Sequence, residues 1–199
     1  MACDARVVVP AMICGCHEVF EGLSSLVDVG GGNGTTVKML VKAFPWLQGI
    51  NFDLPHVVSV AAEIGGVEHV GDDTFESVPK ADAAFLMVSM VCNENGVLNQ
   101  LTFVHDWGDN ECIQILIKCG EAIPEDKGKV IIVDAVIEEA EIDKLTDARL
   151  ALDMVMMAHT NTGKERNLKE WGFILGEAAF SRHTVKTIRA VQSVIEAFP

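Results

Sequence analysis

The stretch "DVGGGNGTT", from Asp28 to Thr36, places four glycines within five positions directly after the apolar run "SLVDV". A short apolar run that ends in clustered glycines is typical of a buried β-strand followed by a turn into a helix. Glycine allows the backbone to adopt conformations that other residues avoid and to approach a ligand closely. The stretch therefore predicts either a ligand-binding loop or only a tight strand-to-helix turn.

The spacing of the glycines distinguishes between nucleotide ligands. Gly30, Gly32 and Gly34 give the pattern GxGxG. A dinucleotide fingerprint, GxGxxG, needs its third glycine at position 35, which is Thr35. The loop can bring its backbone near a ligand, but it does not specify the helix packing of a pyrophosphate site.

Two carboxylates follow predicted strands near this loop. Asp53 ends the second strand, 19 residues after Gly34, and Asp73 follows the third. At the carboxyl end of a parallel sheet, such acids can accept ribose hydroxyl groups or contact the amino group of an adenine. Each of them also fits a plain helix cap or turn. The loop and both acids together indicate an adenosine-binding site more specifically than any one of them.

Strand-like and helix-like segments alternate along the chain, which predicts an α/β fold with a parallel sheet and helices on both faces. The last segment reads as an antiparallel hairpin at the sheet edge. The predicted strands are 25–29, 49–54, one within 66–73, 81–91, 128–137 and the hairpin 182–198. The predicted helices are 4–23, 35–44, 55–64, 109–123, 146–159 and 167–180.

Composition excludes several functional classes. The formal net charge of −14 argues against a nucleic-acid partner, which requires a basic face. No apolar run approaches the roughly 20 residues of a membrane span, and the start of the chain has no signal-peptide pattern. The six cysteines lack zinc-ligand spacing. We therefore expect a reduced, cytoplasmic protein without a metal or a membrane partner.

Several motifs in this order resemble the plant S-adenosylmethionine-dependent O-methyltransferases that act on small phenolics such as caffeic acid, flavonoids and alkaloids. The resemblance implies a Rossmann-like methyltransferase fold, with a mostly parallel seven-stranded sheet and an antiparallel C-terminal hairpin. It covers nearly the whole chain from residue 3 onward, except about 88–102. The motifs are "LVDVGGGNGTT", "INFDLPHVV", "GVEHVGDDTF", "VPKADAAF", "HDWGDNECIQIL", "GKVIIVDAVI", "LDMVMMAH" and "GKERNLKEW".

The resemblance implies a metal-free cofactor site for S-adenosylmethionine. The glycine loop and two strand-end acids would hold the cofactor, with one acid on the ribose and the other beside the adenine. The family usually has Met beside the second acid, and Thr at this position implies weaker stacking on the adenine. The residues placed at the cofactor are Gly30, Gly32, Asp53, Leu54, Asp73 and Thr74.

The resemblance also implies a catalytic set. His105 of "HDW" matches the general base, and Asp134 and Glu165 match the two acids that flank and orient it. Asp106 and Met156 match positions at the phenolic substrate. A phenol has a pKa of about 10, so a neutral imidazole that accepts its proton accelerates attack on the methyl group. Without the resemblance, each histidine is better explained as a surface or core residue.

Two features depart from the family pattern. Residues 1–23 match only the helix that links the family's N-terminal dimerisation domain to the catalytic domain, which here would be 24–199. Residues 88–102 have no counterpart and read as an insertion before His105. Family members are homodimers. We therefore expect either an O-methyltransferase or a truncated, impaired fragment that binds the cofactor or dimerises. A nicotinamide oxidoreductase is a third hypothesis, which the GxGxG spacing disfavours.

Overall fold

The computed structural model describes residues 2–87, 107–137, 145–159 and 164–199. For residues 2–4 and 155–159 it describes the backbone alone. The insertion predicted at 88–102 lies outside the described residues. The strands are β1 (Ser25–Val29), β2 (Gln48–Asp53), β3 (Val67–Gly71), β4 (Ala83–Met87), β5 (Lys129–Asp134), β6 (Val136–Ile137), β7 (Arg166–Asn167), β8 (Arg182–Thr187) and β9 (Ser193–Phe198). The helices are α1 (Ala2–Gly15), α2 (Thr35–Ala43), α3 (Pro55–Val58), α4 (Asp109–Ala122), α5 (Thr146–His159) and α6 (Leu168–Glu177), and a 3-10 turn spans His17–Phe20.

Seven strands form one sheet in the order β3-β2-β1-β4-β5-β9-β8. The five strands from β3 to β5 run parallel, while β9 pairs antiparallel with both β5 and β8. The predicted α/β fold with an antiparallel C-terminal hairpin is therefore confirmed. The order of the strands changes direction at β1, between β2 and β4, so the glycine loop that follows β1 lies where such sheets bind ligands.

Both faces of the sheet are buried, which explains why its central strands read as continuous apolar runs. Alternate residues of β5 show the division: Val130 and Ile132 pack on the face covered by α4 and α6, and Ile131 and Val133 pack on the face covered by α1 and α2. All four side chains are fully buried. The sheet is thus a rigid central layer that fixes the strand ends carrying the polar residues.

Two predicted helices are shorter than expected. The helix expected at 55–64 is only α3, Pro55–Val58. No side chain of α3 is buried, and Val60 beyond it is 84% exposed, so this segment lacks the packed apolar face that would extend a helix. The helix expected at 4–23 ends at Gly15 and continues only as the 3-10 turn.

The strand expected at 128–137 divides at Ala135 into β5 and β6. The backbone N–H of Ala135 donates to the side chain of Asp134 at 2.8 Å, which turns the chain out of the main sheet. Beyond this turn, β6 pairs in parallel with β7 in a separate two-stranded sheet. None of the helices in the described ranges is long and apolar enough to cross a lipid bilayer.

Candidate functional site

The glycine loop between β1 and α2 adopts a conformation that its sequence spacing explains. Gly30, Gly32 and Gly34 all have positive φ, at 74°, 57° and 76°. Residues other than glycine are strained at such angles, so each glycine of the GxGxG pattern is needed for the positive φ at its position. The N–H groups of Gly30 and Gly31 donate to the carbonyl of Phe52 at 2.7 and 3.2 Å, which ties the loop to β2.

A buried polar cluster beneath the loop was not predicted. Asp28 of β1 and Asn51 of β2 are 2% and 0% exposed, and a Cβ built on Gly31 would lie 2.7 Å and 2.1 Å from their side-chain oxygens. The amide of Asn51 donates to the carbonyl of Gly32 at 2.9 Å and contacts Nδ1 of His69 at 3.0 Å. The sequence signal was two polar residues inside otherwise apolar strands.

The carboxyl group of Asp28 lies near the first turn of the helix that follows the loop. Burial raises its pKa to about 7; the negative charge of Asp53 adds to the rise, and the backbone of Val37 in α2 opposes it. A carboxyl group buried in this way favours its neutral form.

Asp53 lies at the carboxyl end of β2 and is joined to the glycine loop. Its Oδ2 accepts the N–H of Gly32 at 2.9 Å, and its Oδ1 accepts the N–H of Leu54 at 2.7 Å. Each carboxylate oxygen has more than one lone pair, so each can still accept a ribose hydroxyl group. Leu54 is 40% exposed beside it. These predicted cofactor residues therefore lie together.

Asp73 and Thr74 lie at the neighbouring strand end. Asp53 pairs with Gly71 in the β2–β3 register, and its carbonyl accepts the N–H of Asp72 at 3.1 Å. Asp73 is exposed, and its Oδ1 accepts the N–H of Phe75 at 2.9 Å in a turn. The turn therefore sits at the same edge of the sheet as the glycine loop.

An aromatic contact joins this turn to the segment before α4. The rings of Phe75 and Trp107 meet edge to face, with centroids 5.4 Å apart and planes at 83°. Edge-to-face pairs are a favourable arrangement of aromatic quadrupoles. Trp107 ends the "HDW" motif, so the described end of that motif lies against the turn that follows Asp73.

The two predicted orienting acids come together although 31 positions separate them in the sequence. Asp134 ends β5, and Glu165 precedes β7, which pairs with β6 immediately beyond Asp134. Both side chains are buried and share a hydrogen bond. Burial, and then the negative charge of Asp134, raises the pKa of Glu165 far above its ordinary value. The raised pKa favours the protonated form of the Glu165 side chain.

Three predicted site residues remain, and their side chains are not among the described parts of the structure. His105 and Asp106 lie outside the described residues. Met156 lies in α5, where its backbone alone is described. Within the described ranges, no group of three or more His, Cys, Asp or Glu side chains is arranged to hold a metal ion.

The described residues fit an adenosyl cofactor. Gly30 and Gly32 lie at the topological switch point and carry no side chain that would obstruct a close ligand. Asp53 beside them offers two oxygens for a pair of vicinal hydroxyl groups. The chemistry of this donor set matches a ribose, because hydroxyl groups donate to carboxylates.

Sequence comparison gives a consistent set of relatives. A family model described as an O-methyltransferase domain matches residues 2–181. The chain is 51% identical over 206 residues to acetylserotonin O-methyltransferase of Arabidopsis thaliana, aligning 100% of this chain with 50% of that protein. It is 51% identical over 200 residues to flavonoid 7-O-methyltransferase 2 of Ocimum basilicum, aligning 100% of this chain with 55% of that protein. The chain spans about half the length of the curated relatives it matches.

Three solved structures share this fold, and the names of two of them identify methyltransferases. The crystal structure of LaPhzM matches with a TM-score of 0.83 at 27% identity, covering 100% of this chain and 56% of that one. CalO1, a methyltransferase in calicheamicin biosynthesis in its SAH-bound form, matches with a TM-score of 0.78 at 26% identity, covering 100% and 54%. Human N-acetylserotonin methyltransferase in complex with SAM shares the fold, with a TM-score of 0.78 at 22% identity over 98% of this chain and 51% of that one.

Proposed function

The chain belongs to the O-methyltransferase domain family, and from this we propose that it transfers a methyl group from S-adenosylmethionine to a phenolic hydroxyl of a small plant aromatic compound. The observation that carries the proposal is the hydrogen bond from the N–H of Gly32 in the GxGxG loop to Asp53, because a carboxylate joined to the loop would be able to accept ribose hydroxyl groups. The relatives named for flavonoids and acetylserotonin support an aromatic substrate.

The cofactor-binding role falls to the loop and the strand ends. Gly30 and Gly32 allow close approach, Asp53 with Leu54 holds the ribose, and Asp73 with Thr74 borders the adenine. S-adenosylmethionine supplies an activated methyl group on a sulfonium centre, so the protein needs no metal for this step. The protein's contribution is to hold the acceptor oxygen in line with that methyl group.

The proton-transfer role falls to His105. A phenol with a pKa of about 10 is ionised to about one part in a thousand at neutral pH, so an imidazole that accepts its proton supplies typically about 10²–10⁴ in rate. Asp134 and Glu165, whose side chains lie together, would orient the ring and stabilise the imidazolium. Asp106 and Met156 would contact the substrate.

The chain spans about half the length of its relatives. Residues 24–199 would form the catalytic domain, and residues 1–23 would link it to a dimerisation domain in a cytoplasmic homodimer. Residues 88–102 would be an insertion next to His105. The alternative is a cofactor-binding or dimerising fragment without turnover.

Two measurements on the purified chain test the function. Isothermal titration should show binding of S-adenosylmethionine, and radiolabelled methyl groups should transfer to at least one member of a panel of catechols, flavonoids and hydroxyindoles. Binding without transfer would support the fragment alternative. Binding of NAD in place of S-adenosylmethionine would overturn both and support an oxidoreductase.

A further inference from the structure

Arg166 is a fully buried cation that joins two parts of the site. It opens β7, where it pairs with Val136 of β6, and its side chain is 0% exposed. Its Nη2 donates to the carbonyl of Trp107 at 2.9 Å and to Oδ1 of Asp109 at 3.0 Å, and its Nε donates to the same oxygen at 3.2 Å. Its guanidinium also lies 5.8 Å from the ring of Trp171.

The neighbouring residue reaches the other half of the catalytic set. Glu165 shares a hydrogen bond with Asp134, while Arg166 binds the segment from Trp107 to Asp109. Two consecutive residues therefore connect the buried acid pair to the start of α4. Because Trp107 follows His105 by two residues, the segment that Arg166 holds is the one that continues from the proposed base.

From this juxtaposition we propose that Arg166 is a positioning residue that holds the Trp107–Asp109 segment, which continues the sequence from the proposed base, beside the Asp134–Glu165 pair. The proposal rests on the proposed methyl transfer. A guanidinium suits the role because its planar donors can bind a carbonyl and a carboxylate at the same time. Lysine would keep the charge but lose this geometry.

The kinetic test uses Arg166→Lys at saturating S-adenosylmethionine and compares two acceptors. With an ordinary phenol, which needs a base, kcat should fall about 10²-fold, the usual cost of a misplacement of about 1 Å. With a nitro-substituted phenol, which is largely ionised already, kcat should fall less than about threefold. Equal losses for both acceptors would indicate a merely structural residue and would overturn the proposal, as would no loss.

Asp109→Asn provides a second variant that tests the same contact from its other side. It removes the charge that Arg166 binds without removing the buried guanidinium, and it should reproduce the acceptor-dependent loss. In the double variant the two losses should not multiply, because they disrupt one interaction. Arg182→Lys is the matched control, since Arg182 lies exposed over the ring of Phe198. Multiplying losses would contradict the proposal.

Hydrogen exchange separates a failure of this proposal from a failure of the proposed function. In Arg166→Lys, the peptide that contains Trp107 and Asp109 should exchange about tenfold faster, while peptides from β1 and β2 stay unchanged. If the unmodified chain methylates no phenol, the proposed function is wrong, and the exchange still decides whether Arg166 holds the segment. Unchanged exchange in that peptide would overturn the positioning role.

Discussion

Asp28 is a carboxyl group that the fold buries in β1 beneath the glycine loop. Its pKa rises from 3.8 to about 7, so between these values the folded chain binds more protons than the unfolded chain. The free energy of unfolding therefore falls as pH rises from about 4 to about 7 and is independent of this group above that. At about 1.4 kcal/mol per pKa unit, the loss is about 4 kcal/mol.

Replacement of this carboxyl group by an amide should remove the dependence. In Asp28→Asn the new N–H group can donate to Oδ1 of Asn51, which accepts no hydrogen bond among the described residues. We expect the variant to gain about 3 kcal/mol relative to the unmodified chain between pH 4.5 and pH 8 in urea unfolding. Asp126→Asn, in an exposed turn, is the control. Parallel pH curves for Asp28→Asn and the unmodified chain would contradict the account.

A second prediction for a single residue concerns Asp53. Asp53→Asn removes the negative charge that would accept the ribose hydroxyl groups, and hydrogen bonds to charged groups contribute about 1.5–3 kcal/mol. We expect the Kd for S-adenosylmethionine to rise about 10–100-fold in isothermal titration, with the melting temperature measured in parallel. Asp126→Asn should leave the Kd unchanged. An unaltered Kd in Asp53→Asn would remove this residue from the cofactor site.

Some site residues could be predicted from the sequence and others could not. Asp53 could be found because it stands at a strand end, where parallel sheets bind ligands. Asp28 and Asn51 stand out only as polar residues inside apolar strands, and their contacts beneath the glycine loop could not be predicted, because those contacts depend on how the strands pair. Arg166 reads as a surface charge in "GKER", and only the pairing of β6 with β7 shows that it is buried.

At the scale of elements, the β1–α2 turn depends on the glycine at position 31 as well as on its three left-handed neighbours. Gly31→Ala would place a methyl group 2.1 Å from Oδ1 of Asn51 and 2.7 Å from Oδ2 of Asp28, so the loop must shift. We expect a loss of about 1–3 kcal/mol in stability and a weaker Kd for the cofactor. Calorimetry and titration measure the two effects.

Gly176 provides the matched control for that prediction. It lies near the end of α6, and a Cβ built there meets nothing within 4 Å. Gly176→Ala should therefore be neutral or should stabilise the chain by up to about 1 kcal/mol, because alanine favours helix. If both glycine variants behaved alike, the steric account of the loop would be wrong.

The start of α6 depends on a reciprocal cap. The side chain of Asn167 accepts the N–H groups of Lys169 and Glu170, each at 3.0 Å, and the side chain of Glu170 accepts the N–H of Asn167 at 2.9 Å. Asn167→Ala should lower the free energy of unfolding by about 1 kcal/mol in urea unfolding. Asn110→Ala, at an exposed position of α4, should change it by less than about 0.5 kcal/mol.

Most elements could be predicted from periodicity, and the exceptions have physical causes. The apolar run at 128–137 is continuous, so nothing in it marks the division at Ala135; the bend arises from the Asp134 side chain and from the pairing of β6 with β7. The helical pattern at 55–64 yields only the four residues of α3, none of which is buried, so little packing supports a longer helix.

At the scale of the whole molecule, a chain of alternating charges ties the start of the domain to the C-terminal hairpin. Lys129 of β5 contacts Glu196 of β9 at 3.0 Å, Glu196 contacts Lys186 of β8 at 3.1 Å, and Lys186 contacts Glu18 at 2.9 Å. Burial alone would raise the pKa of Glu196, but the hydrogen bonds and charges of Lys129 and Lys186 together outweigh it, and the pKa falls.

Loss of the central charge should destabilise this chain of ion pairs. Glu196→Gln leaves the largely buried ammonium group of Lys129 without its charged partner. We expect the free energy of unfolding to fall by about 1–3 kcal/mol at neutral pH. The difference should narrow as pH falls from the ordinary glutamate value through the lowered pKa of the folded state, below which Glu196 is protonated in both states. Glu121→Gln, which breaks the exposed pair with Lys118, should cost less than about 0.5 kcal/mol.

The insertion of β9 between β5 and β8 has a consequence for synthesis on the ribosome. β5 ends at Asp134 and β9 begins at Ser193, with α5, α6 and β8 between them. At about 5–20 residues per second, β5 waits roughly 3–12 s for the partner that covers its free edge. During that interval a strand of six buried residues presents unpaired N–H and C=O groups, a template for association with other nascent chains. The nascent domain should therefore depend on chaperones until residue 198 has left the exit tunnel.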